Sequence, residues 1–293
     1  MDTIWLIAQA ILNGIAQGGV YSMIGVGLTI IVGVMRCVNY AQGEFLAVGM
    51  YLTLCLVQWT GLSSYALIGP VVALVFFLGM AAYSITVRPI IDQPGTRKIV
   101  ATMGLGYVIS NVLQIIFSAD YRSTGSTMGA ESLNIGPFTV AYAKAWIWVC
   151  MIICVSLVYL LLNKTDFGRA MRATSENAVV AESLGINTKK VYRISFALGV
   201  SFAGLTGLLL TNMQYVFPTV GDAYKSIAMV ALVMGGLGNI PGALISGIII
   251  GITEAIVATF YSNDLASICA YCLLIVVMTF RPNGLFGKGA RTA

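Results

Sequence analysis

The chain has 293 residues, of which 58% are hydrophobic and only 9% charged, and its mean hydropathy is +0.90. Soluble domains carry about 25% charged residues, so this composition excludes an ordinary soluble protein and places most of the chain in lipid. The sequence contains no histidine, which excludes His-ligated metal sites, Ser-His-Asp triads and histidine proton relays.

Strongly apolar stretches follow one another along the chain, and most approach the ~20 residues that an α-helix needs to cross a bilayer. They cover residues 4–35, 45–59, 65–87, 99–118, 145–162, 191–213, 226–260 and 265–280. The first and seventh would each extend about 50 Å at 1.5 Å per residue, too far for one crossing. The sequence therefore predicts an all-α polytopic membrane protein with 8–10 transmembrane helices, and ten if both long stretches are broken.

Two glycine-rich sites are the predicted breaks. One is Gly18-Gly19, and the other is a hinge in the segment GGLGNIPG that comprises Gly235, Gly236, Gly238, Pro241 and Gly242. Irregular backbone at membrane depth is tolerated only beside protein or a wet cavity, and broken helices often line transport pathways. Small residues four positions apart, such as Gly247 and Gly251, indicate close helix packing. Residues 1–293 are predicted to form a single transmembrane domain.

Basic residues are concentrated in three polar gaps, at residues 88–98, 164–190 and 281–291. The positive-inside rule places these gaps in the cytoplasm and the gaps at 119–143 and 214–225 outside. With ten helices, both termini are then expected to be cytoplasmic. The start MDTIW lacks the basic segment of a cleavable signal peptide, so the first stretch is expected to remain in the membrane. This charge distribution is not the footprint of a nucleic-acid-binding protein.

The six cysteines lie within or beside apolar stretches and are interpreted as membrane-buried thiols. Cys269 and Cys272 form a C-x-x-C pair, but no histidine and no second pair completes a zinc site. Neither a metal site nor a resident cofactor is predicted.

The gap at 164–190 is predicted to be a structured connector that contains a short helix at 176–184. Ser175 could cap this helix and Gly185 could end it, while Asn187 or Thr188 could cap the next membrane helix. Val180 and Leu184 give the short helix an apolar strip. That strip must be buried either against this chain's own helix ends or in a groove of a partner.

Five segments, taken together and in order, resemble the permease family of ABC importers for branched-chain amino acids. They are VNYAQGEFLAVGMY at 38–51, RPI at 88–90, GRAMRATSENAVVAESLGIN at 168–187, MGGLGNIPGALISGIIIGITEAI at 234–256 and FRPNGLFG at 280–287. The resemblance extends over nearly the whole chain. Gln42 departs from the family pattern, which commonly has histidine there, so a role for a titratable group at position 42 is in doubt but a hydrogen-bonding role is not.

The resemblance implies a bundle of the vitamin-B12-permease type in a bacterial-type cytoplasmic (inner) membrane. It also implies four kinds of partner: the lipid membrane, a second homologous permease subunit, two ATP-binding cassette ATPase subunits and an external solute-binding protein. The connector would be a coupling segment whose short helix enters a cleft of the ATPase. The residues expected to make that contact are Arg169, Arg172, Glu176, Glu182 and Gly185.

No G-x-x-x-x-G-K-[ST] motif occurs in the chain, so ATP and Mg²⁺ would be bound by the partner ATPases. The chain itself is therefore expected to be a transport subunit rather than an enzyme.

Polar residues within the apolar stretches are candidates for the translocation pathway, because such residues are costly in lipid and usually face the bundle interior. They are Asn13, Gln17, Asn39, Gln42, Glu44, Asn111, Gln114, Asn212, Gln214 and Glu254. For each amide, an interhelical hydrogen bond is the competing interpretation. Glu44 could instead be a capping or ion-pairing residue near the cytoplasmic surface.

The leading hypothesis is a permease subunit of an ABC importer that translocates branched-chain amino acids or related small amino acids and amides. The alternative is a secondary transporter or channel that needs no ATPase and uses Glu44 or Glu254 as a proton or ion site. A membrane enzyme is disfavoured because no nucleophile–base pair stands at a suitable spacing. Urea, short amides and aromatic acids remain open as cargo.

Overall fold

A computed structural model describes residues 3–125, 132–135 and 138–287. In these ranges the chain is almost wholly helical, with one small antiparallel hairpin, so the predicted all-α polytopic fold is confirmed. The helices are α1 (Thr3–Met35), α2 (Gln42–Thr60), α3 (Ile68–Ala82), α4 (Gly95–Phe117), α5 (Tyr142–Lys164), α6 (Asp166–Glu176), α7 (Ala178–Ser183), α8 (Thr188–Leu210), α9 (Gly221–Gly235), α10 (Ile240–Phe260) and α11 (Asn263–Phe280). The hairpin strands are β1 (Ser132–Ile135) and β2 (Phe138–Ala141).

Seven segments of the described chain are long and apolar enough to cross a membrane. They are α1, α4, α5, α8, α10, α11 and the continuous segment Ser64–Ile90, in which α3 is flanked by short 3₁₀ and π turns. The shorter helices α2 and α9 complete the bundle. The described residues thus hold seven candidate membrane spans and two shorter helices packed among them, and not the ten segments preferred from the sequence.

The predicted break at Gly18-Gly19 is wrong, because α1 is one continuous helix. Gly14 and Gly18 lie directly against the backbone of α10 near Ile252 and Ile248, where a Cβ would clash. These glycines therefore serve close helix packing, as small residues do in membranes. The other predicted break is confirmed, since α9 ends at Gly235 and α10 begins at Ile240.

Helices α1–α4 and α8–α11 form two similar units of opposite orientation. Between the units, α1 packs on α8 and α2 packs on α9. The remaining contacts correspond in pairs: the α3–α8 contact matches the α10–α1 contact, and the α4–α2 contact matches the α11–α9 contact. Inverted repeats of this kind are common in transporters and place functional sites at the interface of the two units. The hydropathy pattern and the motifs did not predict this repeat.

Helices α2 and α9 begin in the middle of the bundle. Gly43 of α2 and Gly221 of α9 are in backbone contact, and the Gln42 side chain is bonded to the carbonyl of Gly199, halfway along α8. The segments 36–41 and 211–220 lead the chain back from opposite ends of the bundle to this level. Each of the two helices therefore starts near mid-depth, with its N-terminus inside the protein.

The two ends of the bundle are chemically different. We call the end that carries α6 and α7 the coupling end and the end that carries β1 and β2 the hairpin end. Most Lys and Arg residues lie at the coupling end, whereas Arg122 and Lys144 lie at the hairpin end. The positive-inside rule predicts that the coupling end is the cytoplasmic one.

The two described ends of the chain lie at opposite ends of the bundle, whereas the sequence prediction placed both termini on one side of the membrane. Gln9 of α1 is hydrogen-bonded to Thr139 of β2, so α1 starts at the hairpin end. At the other end of the chain, Leu285 donates from its N–H to the carbonyl of Met234 at 2.8 Å, beside the hinge at the coupling end. An odd number of crossings, rather than ten, separates the two.

This arrangement predicts that position 3 is reached from outside the cell and position 189 only from inside. Single cysteines placed at Thr3 and Lys189 in a cysteine-free background would be exposed to a membrane-impermeant maleimide. We expect labelling of Thr3→Cys in intact cells and of Lys189→Cys only after permeabilisation. Labelling of both variants from the same side would contradict the odd number of crossings.

Candidate functional site

A cluster of three charged side chains lies where α2 and α9 meet. Lys225 Nζ is 2.7 Å from Glu44 Oε1 and 2.8 Å from Asp222 Oδ1. The exposed fractions of the side chains are 10% for Glu44, 21% for Lys225 and 59% for Asp222, so the cluster runs from the protein interior to its surface. The second carboxylate oxygen of Glu44 is buried and has no hydrogen-bond partner.

The structure corrects the sequence interpretation of this region. Glu44 lies beside Gly106, halfway along α4, and therefore at mid-depth rather than near the cytoplasmic surface. Asp222 and Lys225 were assigned from the sequence to an external gap, whereas they belong to the first turns of α9 inside the bundle. Two charged residues three positions apart, directly before an apolar run, are a sequence signal for the start of a helix. The depth of that helix start in the bundle is visible only in the structure, where segment 211–220 runs back from the hairpin end into the interior.

Asn39 and Gln42 build the N-terminus of α2. Asn39 Oδ1 accepts from the N–H of Ala41 at 3.1 Å, and its Nδ2 donates to Gln42 Oε1 at 3.1 Å. Gln42 Nε2 in turn donates to the carbonyl of Gly199 at 2.9 Å. Both amides are fully buried, so the hydrogen-bonding interpretation describes them: they hold the start of α2 against α8.

A second polar group lies nearer the hairpin end. The Tyr21 hydroxyl donates to Glu254 Oε2 at 2.5 Å and accepts from Gln17 Nε2 at 2.7 Å, while Lys144 Nζ donates to Asn13 Oδ1 at 2.7 Å. A cavity of about 360 Å³ has both polar and apolar lining residues, and the polar ones are Asn13, Gln17, Lys144, Glu254, Thr259 and Asn263. Three of the predicted pathway residues are thus brought together there.

Asn111 and Gln114 lie on the exposed surface of α4 and contact none of the other candidates. Asn111 Nδ2 bonds to the carbonyl of Tyr107 one turn earlier, and Tyr107 is itself exposed. A stripe of polar groups on an outward-facing membrane helix is costly against lipid. This face of α4 is therefore suited to contact with a partner or with water.

The predicted hinge lies at the coupling end of the bundle. Gly236 and Gly238 adopt positive φ values of 100° and 82°, and Gly235 and Gly242 are in backbone contact. Asn239 caps α10 by accepting from the Gly242 N–H at 2.9 Å, and its Nδ2 donates to the carbonyl of Phe286. The segment 280–287 therefore packs on the hinge.

The connector at 164–190 folds into two short helices, α6 and α7. The predicted cap Ser175 is wrong, since its hydroxyl bonds to the carbonyl of Arg172. Asn177 is the cap instead: its Oδ1 accepts from the N–H groups of Val179 and Val180, and its own extended backbone separates the helices. Glu176 is consequently the last residue of α6 and not part of the short helix.

The end of α7 agrees with the prediction. Gly185 has a φ of +84°, the Gly185 N–H bonds to Glu182, and the Ile186 N–H bonds to Ala181. These are the two hydrogen bonds of a Schellman motif. Asn187 then caps α8 by accepting from the N–H of Lys190 at 3.0 Å.

Helix α7 turns its apolar side chains outward. The predicted strip residues Val180 and Leu184 are 53% and 76% exposed, and Val179 is 75% exposed. Only Ala181 of α7 is buried. Of the two possibilities left by the sequence, the exposure of Val180 and Leu184 favours a groove of a partner. Glu182 is exposed beside the strip; on α6, Arg169 pairs with Asp166, and Arg172 donates to the carbonyl of Leu162.

The hinge and the coupling helices share a cavity of about 580 Å³ at the coupling end. Arg172 and Ser175 line it from α6, and Gly238, Asn239 and Pro241 line it from the hinge. No group of three or more His, Cys, Asp or Glu side chains in the described ranges is placed to hold a metal ion.

Comparisons with known proteins find a matching family and several similar transport proteins. A family described as "Branched-chain amino acid transport system / permease component" matches residues 10–278. The chain is 27% identical to the permease protein BraD of a high-affinity branched-chain amino acid transport system of Pseudomonas aeruginosa, covering 98% of both chains. It is 26% identical to LivH of Escherichia coli over 96% of this chain and 95% of LivH, and 22% identical to LivM of the same organism over 91% of this chain and 67% of LivM.

Proposed function

This chain belongs to the family of permease components of branched-chain amino acid transport systems, and on that premise we propose that it carries branched-chain amino acids across the cytoplasmic membrane. It is a multi-pass permease subunit of an ABC importer. Leucine, isoleucine and valine are the proposed cargo because the similar proteins BraD and LivH are named for that transport. A solute-binding protein delivers the cargo at the hairpin end.

The exposed apolar face of α7 is the observation that carries the mechanism. Val179 and Leu184 project from a rigidly capped helix at the basic end of the bundle. An exposed apolar strip on a short helix fits a groove of a partner protein. We infer that each of two ATPase subunits receives one such helix, and that ATP with Mg²⁺ is bound there and not by this chain.

A movement of α7 can be transmitted to the membrane helices through α6 and the hinge. Helix α6, joined to α7 by Asn177, shares the 580 Å³ cavity with the hinge that starts α10. Helix α10 in turn packs along α1 and α9. Closure of the ATPases therefore tilts α10 and α9 against the other repeat and changes which side of the membrane the pathway opens to.

The second permease subunit is proposed to be a different, homologous chain. Escherichia coli LivH and LivM are both named as permease proteins of high-affinity branched-chain amino acid transport systems, and this chain is more similar to LivH. The polar exposed face of α4, with Tyr107 and Asn111, is suited to that contact.

Uptake by cells that lack this chain tests the proposed function. Deletion should reduce ATP-dependent uptake of radiolabelled leucine, isoleucine and valine at least tenfold, and the wild-type gene should restore it. Glutamate uptake serves as the matched control. Loss of urea or aromatic-acid uptake with normal leucine uptake would overturn the proposed cargo. Uptake that survives ATP depletion but stops with a protonophore would favour the ion-driven alternative.

A further inference from the structure

The charged cluster of Glu44, Lys225 and Asp222 lies at the meeting point of two helix N-termini. Helices α2 and α9 both begin there, and the backbones of Gly43 and Gly221 touch. A helix N-terminus carries about half a positive charge. The site therefore offers two partial positive charges and one ammonium group opposite two carboxylates at mid-depth.

The buried carboxylate of Glu44 is only half satisfied. Its Oε1 accepts from Lys225, but its Oε2 has no hydrogen-bond partner although the side chain is nine-tenths buried. Leaving a buried acceptor unpaired costs about 1–3 kcal/mol, and more for a charged group. A Cβ at position 106 of α4 would lie 3.2 Å from this oxygen, so the glycine at that position leaves space beside it.

The position of Asp222 indicates an aqueous surrounding. Its side chain is 59% exposed at a depth level with the midpoints of α4 and α8. Charged side chains at this depth face a bundle interior or a water-filled path and not lipid. The cluster therefore opens onto the translocation path.

We propose that this cluster is a subsite for the zwitterionic backbone of an α-amino acid. Glu44 Oε2 accepts a hydrogen bond from the cargo ammonium group, while Lys225 and the adjoining helix N-termini attract the cargo carboxylate. The balance of charges in the cluster suits a ligand with one charge of each sign and no net charge. This proposal rests on the proposed function and deepens it, because it selects amino acids over urea and simple amides.

The test compares uptake by membrane vesicles that contain the complete transporter with wild-type chain, Glu44→Gln or Asp264→Asn. Glutamine retains the shape of glutamate but loses the charge-assisted hydrogen bond, so leucine uptake should fall about 10- to 100-fold in Glu44→Gln. Asp264 is an exposed acid at the start of α11, and Asp264→Asn should behave as wild type. ATP hydrolysis stimulated by the loaded binding protein should persist in all three.

A double variant separates cargo binding from a merely structural ion pair. Lys225→Met combined with Glu44→Gln removes both partners and leaves no orphaned charge between them. If Glu44 only stabilises the fold, this double variant should regain wild-type leucine uptake, and the proposal fails. If the cluster binds cargo, uptake should stay low while the melting temperature recovers.

Failure of this proposal is distinguishable from failure of the proposed function. Wild-type vesicles that take up no leucine would refute the proposed function itself. Wild-type uptake with undiminished uptake by Glu44→Gln would refute only the subsite. An excess of leucinamide or 4-methylpentanoate, each lacking one of the two charged groups, should inhibit wild-type uptake at least tenfold less than leucine does.

Discussion

Replacing Gly43 by valine is expected to abolish leucine uptake and to leave little folded protein in the membrane. A Cβ at position 43 would meet the carbonyl group of Gly221 and lie 2.9 Å from the Cβ of Lys225. The first of these obstacles is backbone, which cannot rotate away as a side chain can. Overpacking of a tight interior costs about 1–3 kcal/mol and occasionally more. Here the added side chain would push the two repeats apart at the point where α2 and α9 begin.

The matched control is Gly69→Val at the start of α3, where a Cβ meets no atom within 4 Å. Both changes put valine into a membrane helix in place of glycine, so the difference between them reports packing alone. The melting temperature of the detergent-solubilised chain and leucine uptake are the two measurements. A Gly43→Val protein as stable as Gly69→Val would show that the half-helices do not depend on this contact.

Replacing Val179 and Leu184 together by aspartate is expected to reduce uptake at least 100-fold without unfolding the chain. Both side chains are exposed and project away from the bundle, and surface substitutions of this kind usually change stability by no more than about 0.5 kcal/mol. Full burial of a valine or leucine side chain in a groove of a partner contributes about 1.5–3 kcal/mol. Charges placed there would therefore release the ATPases.

Co-purification from native membranes measures this effect. The ATPase subunits should accompany the wild-type chain and be lost from the double variant, while Leu62→Asp, an exposed leucine at the hairpin end, should retain them. A second route to the same result is Glu182→Arg combined with Gly185→Pro, because proline cannot adopt the φ of +84° that ends α7. If the ATPases remain bound to both double variants, α7 is not the coupling helix.

Local signals in the sequence were reliable where the local backbone decides the structure. Gly185 ends α7, Asn187 caps α8 and the glycines at 235–242 break the seventh stretch. The cap of α7 shows the limit of such signals: Ser175 and Asn177 are both good caps by type, and the fold uses Asn177 because α6 continues through residue 176. Competition between neighbouring helices is not visible in a capping pattern.

Glycines were ambiguous for a different reason. Gly18 and Gly236 are equally permissive residues, yet the first lies inside an unbroken helix and the second turns the chain with a φ of 100°. The difference is that α10 packs directly on α1 at Gly18, and close packing in lipid favours small residues without bending the helix. Only the neighbouring helix distinguishes a packing glycine from a hinge glycine.

Composition and motif order by themselves determined that this is a polytopic helical membrane protein of the permease family, because hydropathy and local motifs are properties of consecutive residues. The structured connector at 164–190 and the glycine that ends its short helix were predicted in the same way. The tertiary structure alone decided the depth of Glu44, its pairing with Lys225 and the position of the start of α1 at the hairpin end. These depend on where two distant half-helices meet, and residues 181 positions apart in sequence come together only when the two inverted repeats pack.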